Sequence, residues 1–164
     1  MEQWVEGELA LGELPLQCGA TLRDARIRYL RRGAANAPKD NIVLLPTYYG
    51  GAMAGNRALG EGGSPLADPR WCLVIPAMLG AGESSSPSNA HPAQRGARFP
   101  PLALADQVQA QARLVAALFG EVRLALVGGW SLGGMQALQW GCLFPGRVRR
   151  VAAWCSAARC HPHN

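Results

Sequence analysis

One stretch constrains this chain more than any other. Leu124-Ala125-Leu126-Val127 is a short aliphatic run stopped by Gly128-Gly129. It leads into Gly129-Trp130-Ser131-Leu132-Gly133, a G-x-S-x-G pattern. A helical pattern then runs from Leu132 to Phe144, carries Met135, Leu138, Gln139 and Cys142, and ends at Pro145-Gly146. Strand, tight turn and helix in that order place Ser131 on a sharp, strained bend. Side chains at 129 and 133 would collide with the neighbouring strand and helix. The bend lifts the Ser131 hydroxyl above the sheet edge, and the helix N-terminus turns unpaired N–H groups and its positive dipole end toward it. Ser131 is thus a candidate nucleophile, Leu132 a candidate oxyanion N–H donor, and Gly129 and Gly133 the elbow glycines. The alternative is a Gly-rich strand–helix turn with a merely structural serine.

The rest of the chain supplies a sheet for that turn. Ile42-Val43-Leu44-Leu45, stopped by Pro46, and Trp71–Ile75, stopped by Pro76, are further unalternating aliphatic runs; Val148–Cys155 is another. Such runs fit strands covered on both faces, as in a parallel sheet. Leu102 to Phe119 carries Val108, Ala112, Val115, Ala116 and Phe119 at helical spacing, with Gly120 as its stop. Strand–helix alternation implies right-handed crossovers and a doubly wound α/β sheet. Near the N-terminus, Leu14–Gln17 and the loosely alternating Ala25–Leu30 suggest an antiparallel hairpin, with turns at Gly19 and Arg23-Asp24. Residues 78–101 are rich in turn formers, notably Gly80–Asn89. They read either as a ligand-binding loop after a parallel strand or as a solvated surface loop.

A second oxyanion donor is expected in the loop after an earlier strand, here Pro46-Thr47-Tyr48-Tyr49-Gly50-Gly51. Tyr48 is the candidate N–H, with Thr47 second. Thr47, Tyr49, Trp130 and Met135 are candidates to line a pocket. The tyrosines could equally pack against the sheet.

Composition narrows the partners. At 164 residues and 49% hydrophobic, one globular domain over 1–164 is expected and wholesale disorder is excluded. The net charge of +5 is carried by scattered arginines, with Lys39 the only lysine. No aromatic residues interleave the arginine groups, so no nucleic-acid partner is expected. A lone lysine also excludes a Walker-type phosphate loop, and no G-x-G-x-x-G opens a helix after a strand. No apolar run is long enough to span a bilayer, and the acidic N-terminus lacks a signal peptide's basic head. A cytoplasmic protein without a membrane partner is therefore expected. The five cysteines are odd in number and irregular in spacing, which points to reduced thiols. Cys155, Cys160, His161 and His163 could ligate zinc, but their spacing is irregular and no metal site is expected.

Val127-Gly128-Gly129-Trp130-Ser131-Leu132-Gly133-Gly134-Met135-Gln136-Ala137-Leu138-Gln139-Trp140 resembles the elbow of homoserine O-acetyltransferases, in the α/β-hydrolase superfamily. The likeness runs from Leu14-Pro15-Leu16 to the end of the chain. Leu45–Gly51, Ser84–Asn89 and the closing Ser156–Arg159 with Pro162-His163-Asn164 are more similar to the homoserine-acetyltransferase-like hydrolases. The resemblance implies an α/β-hydrolase-type, mostly parallel sheet with flanking helices. It implies a serine acyltransferase or hydrolase that works through an acyl-serine intermediate, resolved by an alcohol or by water. Small-molecule esters or acyl donors and acceptors are the expected partners. No cofactor is expected, although acyl-CoA could serve as the acyl-donor substrate.

The family's triad runs Ser…Asp…His, with the acid after the seventh strand and the histidine after the eighth. This chain is expected to stop after about the sixth strand, as a partial domain lacking both residues. His161 or His163 could emerge near Ser131, but His163 matches a family Pro-His-Asn that is not catalytic. Val148–Cys155 is then expected to be an exposed edge open to self-association or to a C-terminal partner. The competing reading is a non-catalytic remnant that binds a ligand or partner without turnover.

Overall fold

A computed structural model describes residues 3–159. Six strands form one sheet: β1 (Val5–Pro15), β2 (Thr21–Arg32), β3 (Ile42–Leu44), β4 (Cys72–Pro76), β5 (Leu126–Trp130) and β6 (Val151–Trp154). Their spatial order is β1-β2-β4-β3-β5-β6. β1–β2 and β2–β4 pair antiparallel, whereas β3–β4, β3–β5 and β5–β6 pair parallel. Helix α1 (Leu104–Phe119) joins β4 to β5, and α2 (Leu132–Leu143) joins β5 to β6. No helix among the described residues is long and apolar enough to cross a membrane.

The unalternating runs are explained by burial on both faces. Ile42, Leu44, Cys72 and Val74 point into one cluster with Val108, Leu114, Val115, Ala137 and Trp140 of the helices. Val43, Leu45, Leu73, Ile75 and Ala125 point into a second, with Met53. The covering is asymmetric. Both α-helices pack on the first face, while the second is covered by Trp4 and by the short 3-10 segments Met53–Gly60 and Pro65–Ala67.

Several boundaries differ from the sequence reading. The first strand is Val5–Pro15, far longer than Leu14–Gln17. Its outward Glu6 and Glu8 pair with Arg28 and Arg26 across the hairpin, so charge alternates with Leu9 and Leu11 where a buried strand would be aliphatic. The hairpin turn closes at Leu16–Ala20. Arg23 and Asp24 lie within β2, where Asp24 (φ 48°) accompanies a register shift beside Gly12. The run Leu124–Val127 does not stop at the glycines. Leu124 makes only an isolated bridge to Val148, and β5 continues through Gly128 and Gly129 to Trp130.

Helix α2 also turns a different face inward. Gly133, Gly134, Gln136, Ala137 and Trp140 are buried, while Leu138 and Cys142 are exposed. The helix is apolar nearly all round, so periodicity alone could not pick its inner stripe.

The loop after β4 is exposed at Gly80–Gly82 and at Pro87 and Ser88, but its serine run between them turns inward. Ser84, Ser85 and Ser86 are buried. Ser84 Oγ accepts from Arg28 N–H (3.0 Å) and donates to Ala77 C=O (2.9 Å). Ser85 Oγ accepts from Arg26 N–H (2.8 Å). The hydroxyls substitute for strand carbonyls and extend the ladder of β2 beyond β4. Ser84→Ala would leave Arg28 N–H without its partner, and a loss of about 1–3 kcal/mol is expected by urea unfolding. Ser88→Ala, at an exposed position of the same loop, should leave stability unchanged.

Candidate active site

The parallel strands end on a common rim, and the segments that follow them meet around Ser131. The residue has φ 52° and ψ −123°, a conformation that L-residues adopt only under strain. Hydrogen bonds on both sides enforce it. Ser131 N–H donates to Trp154 C=O (3.1 Å), which ties the turn to the end of β6. Ser131 C=O accepts from Met135 N–H (3.1 Å) and from Ser156 Oγ (2.9 Å). The side chain itself caps nothing and is partly exposed. Among the described residues, no histidine or carboxylate hydrogen-bonds the hydroxyl.

Three backbones come into contact at this turn. A Cβ on Gly129 would overlap the Gly133 carbonyl group and stand 2.8 Å from Gly134 N. One on Gly133 would stand 2.5 Å from Pro46 C=O, and one on Gly134 would stand 2.7 Å from Gly129 C=O. The first two agree with the steric reason for the elbow glycines. Gly134 is a third such position, which its place inside the helix pattern did not reveal. Gly133 also shows that the loop after β3 lies directly against the first turn of α2.

That loop carries the other candidates. Tyr48 is half-buried and its ring meets Trp130 edge-on, with centroids 4.8 Å apart. Among the described residues, the backbone N–H groups of Tyr48 and Leu132 donate to nothing. Thr47 is fully buried, and its hydroxyl donates to Pro76 C=O (3.3 Å) and accepts from Met78 N–H (3.0 Å). Its side chain joins two loops and is not free for a ligand. Tyr49 projects into solvent at 82% exposure, Trp130 is 42% exposed, and Met135 is partly buried beside the turn. Two surface hollows lie elsewhere, against α1 and beside Lys39, and neither includes Ser131.

Sequence reasoning missed the polar residues that hold these loops. Asn56 Nδ2 donates to Leu45 C=O (3.1 Å) and Pro46 C=O (3.0 Å). Gln107 pairs twice with the Leu79 backbone (2.8 and 2.9 Å). Gln136 donates to Thr47 C=O (2.8 Å). Gln107 and Gln136 sit on apolar helix faces, and that incongruity was the available signal. No group of three or more His, Cys, Asp or Glu among the described residues could hold a metal. Cys160, His161 and His163 lie outside the described residues.

Comparison with known proteins identifies the fold. The family model for the alpha/beta hydrolase fold matches residues 40–164. The chain is 34% identical to an ethyl acetate hydrolase from Pseudomonas veronii, over 94% of the chain and 44% of that protein. It is also 34% identical to a homoserine O-acetyltransferase from Clavibacter michiganensis subsp. michiganensis, over 91% of the chain and 44% of that protein. The structure of an acetylester hydrolase from Corynebacterium glutamicum superposes with a TM-score of 0.91 at 31% identity, covering 97% of this chain and 46% of that one. The chain thus spans less than half the length of the relatives it matches.

Adjacent glycines give a direct test of the packing at the turn. Gly128→Ala places its methyl at ordinary distances, 3.6 Å or more from any neighbour, and should fold normally. Gly129→Ala forces backbone against backbone. A loss of about 3 kcal/mol or more, or failure to fold, is expected when the two variants are compared by thermal unfolding.

Proposed function

The chain belongs to the α/β-hydrolase family, and on that premise we propose that it carries the nucleophile and oxyanion half of a serine acyl-transfer site for small esters. The observation that supports this most is Ser131. Its strained backbone is held by three hydrogen bonds, its hydroxyl is free, and the loop carrying Tyr48 packs against the first turn of α2 beside it. A protein has little reason to sustain strain at a merely structural serine.

The chemistry follows from the atoms present. Ser131 Oγ attacks the acyl carbonyl carbon and loses its proton to a general base. The carbonyl oxygen becomes an oxyanion held by the N–H groups of Leu132 and Tyr48. Collapse expels an alcohol or a thiolate and leaves an acyl-serine. Water then gives hydrolysis, or an acceptor alcohol gives transfer. The half-buried ring of Tyr48 and the exposed ring of Trp130 offer an apolar wall beside the serine, suited to a short acyl group. The relatives named for ethyl acetate hydrolysis and for homoserine acetylation favour an acetyl group, with an acetyl ester or acetyl-CoA as donor.

The acid and base are the other half of the site, and we place their approach along the open edge of β6. Val127 N–H bonds to Arg150 C=O and Ser131 N–H to Trp154 C=O. Residues 150, 152 and 154 therefore face β5, and Val151 and Ala153 turn their N–H and C=O groups to the open edge. Val151 and Trp154 of this strand are exposed. A polypeptide adding a strand to this edge would bring its loops to the Ser131 rim and could deliver Asp and His. A second reading, binding without turnover, is favoured by the lack of a base beside Ser131 among the described residues.

Hydrolysis of p-nitrophenyl acetate by the chain and by Ser131→Ala separates the two. A Ser131-dependent rate is expected, about 10²–10⁴-fold below that of a site with its base in place. Equal rates support the binding reading. The edge is tested by sedimentation. The chain alone should self-associate, and Ala153→Pro should reduce this without loss of stability, because the lost N–H points away from β5. A monomeric wild-type chain removes the proposal.

A further inference from the structure

Between α1 and α2 a row of polar groups crosses an otherwise apolar interface. Trp140 Nε1 donates to Gln111 Oε1 (2.8 Å). Gln111 Nε2 donates to Gln136 Oε1 (2.6 Å). Gln136 Nε2 donates to Thr47 C=O (2.8 Å) and lies 3.3 Å from Leu132 C=O. None of the four residues is more than 1% exposed. The direction of the row is set from both ends. An indole N–H can only donate, so it must meet the oxygen of Gln111, and each amide then passes its NH₂ forward. The row ends on a carbonyl, which can only accept.

That carbonyl is not an arbitrary acceptor. Thr47 C=O and Tyr48 N–H are opposite ends of one planar peptide group, and the chain contains no cis peptide bond among the described residues. A grip on the carbonyl from the α1–α2 interface sets the plane and turns Tyr48 N–H to the other side. Each donated bond also polarises the next amide, so the last one withdraws electrons from the Thr47–Tyr48 peptide and sharpens its N–H as a donor. The other holds on this loop, from Asn56 and Met78, act on Leu45 C=O, Pro46 C=O and Thr47 Oγ1. Gln136 alone of these holds the peptide that carries the Tyr48 N–H.

We infer that Gln136 is a positioning residue for acyl transfer: backed by Gln111 and Trp140, it aims and polarises the Tyr48 N–H as an oxyanion donor. The inference rests on the reading of Ser131 as a nucleophile for its catalytic meaning, but the peptide lock can be tested without turnover. In the ¹⁵N–¹H spectrum of the full chain, Gln136→Met keeps volume and removes the hydrogen bonds of the Gln136 amide to Gln111, Thr47 and Leu132. The Tyr48 amide nitrogen and proton should move upfield by more than the amides of the other loop residues. Trp140→Phe removes only the first N–H of the row, and should move the Tyr48 amide the same way by less. It also covers the case in which Gln136→Met does not fold. In p-nitrophenyl acetate hydrolysis, kcat should fall about tenfold in Gln136→Met with KM unchanged, the signature of a lost transition-state interaction. A Tyr48 amide that stays in place in the folded variants overturns the inference, even if melting temperatures fall. Wild-type hydrolysis that does not depend on Ser131 overturns the acyl-transfer reading instead, and the amide shifts still decide the lock.

Discussion

Everything around Ser131 depends on backbone meeting backbone without side chains between. Gly129 at the end of β5, Gly133 and Gly134 in the first turn of α2, and the Pro46–Thr47 carbonyls after β3 occupy a space that one added methyl would overfill. This closeness holds the strand-to-helix turn tight enough to put a non-glycine residue at φ 52°. It also sets the β3 loop beside the helix N-terminus. The strain is sustained locally, by the bonds from Ser131 to Trp154, Met135 and Ser156.

Buried polar side chains do the remaining positioning, and they do it at loops. Apolar packing fixes the separation of helices and sheet but is not directional. Hydrogen bonds to backbone carbonyls are directional, and they appear where a strand ends: Asn56 on Leu45 and Pro46, Gln107 on Leu79, Gln136 on Thr47, Ser84 on Ala77. Each satisfies a carbonyl or N–H that the ladder no longer reaches, and each restricts the orientation of a peptide at the rim. The rim around Ser131 is thus built from the same groups that close off the sheet.

The parallel half of the sheet was legible because its strands are buried on both faces. Val43 and Leu44 face opposite clusters, so no polar residue interrupts the run. The hairpin was legible only at its inner end. β1 is half-exposed, and its Glu–Arg pairs across to β2 hide the strand pattern behind charge. The elbow and its two glycines were legible because steric demand leaves few residue types possible there. Gly134, and the inward face of α2, were not, because a uniformly apolar helix carries no stripe. The serine run read either as part of a ligand-binding loop or as a solvated one, since the sequence cannot distinguish hydroxyls facing water from hydroxyls capping a strand's N–H groups.

What the sequence determined by itself is local: where aliphatic runs make strands, where a helix begins, and that a serine stands on the bend between them. These follow from side-chain volume, backbone freedom and periodicity, all properties of neighbours in the chain. Tertiary structure decided which distant groups converge on that serine. Thr47 became a tie between loops and not a pocket residue, Tyr49 pointed to solvent, and Gln136 and Gln111 joined α1 to the loop after β3. Hydrogen-bond direction and contact distance depend on how elements pack, and no residue's own chemistry specifies its partner across the sheet.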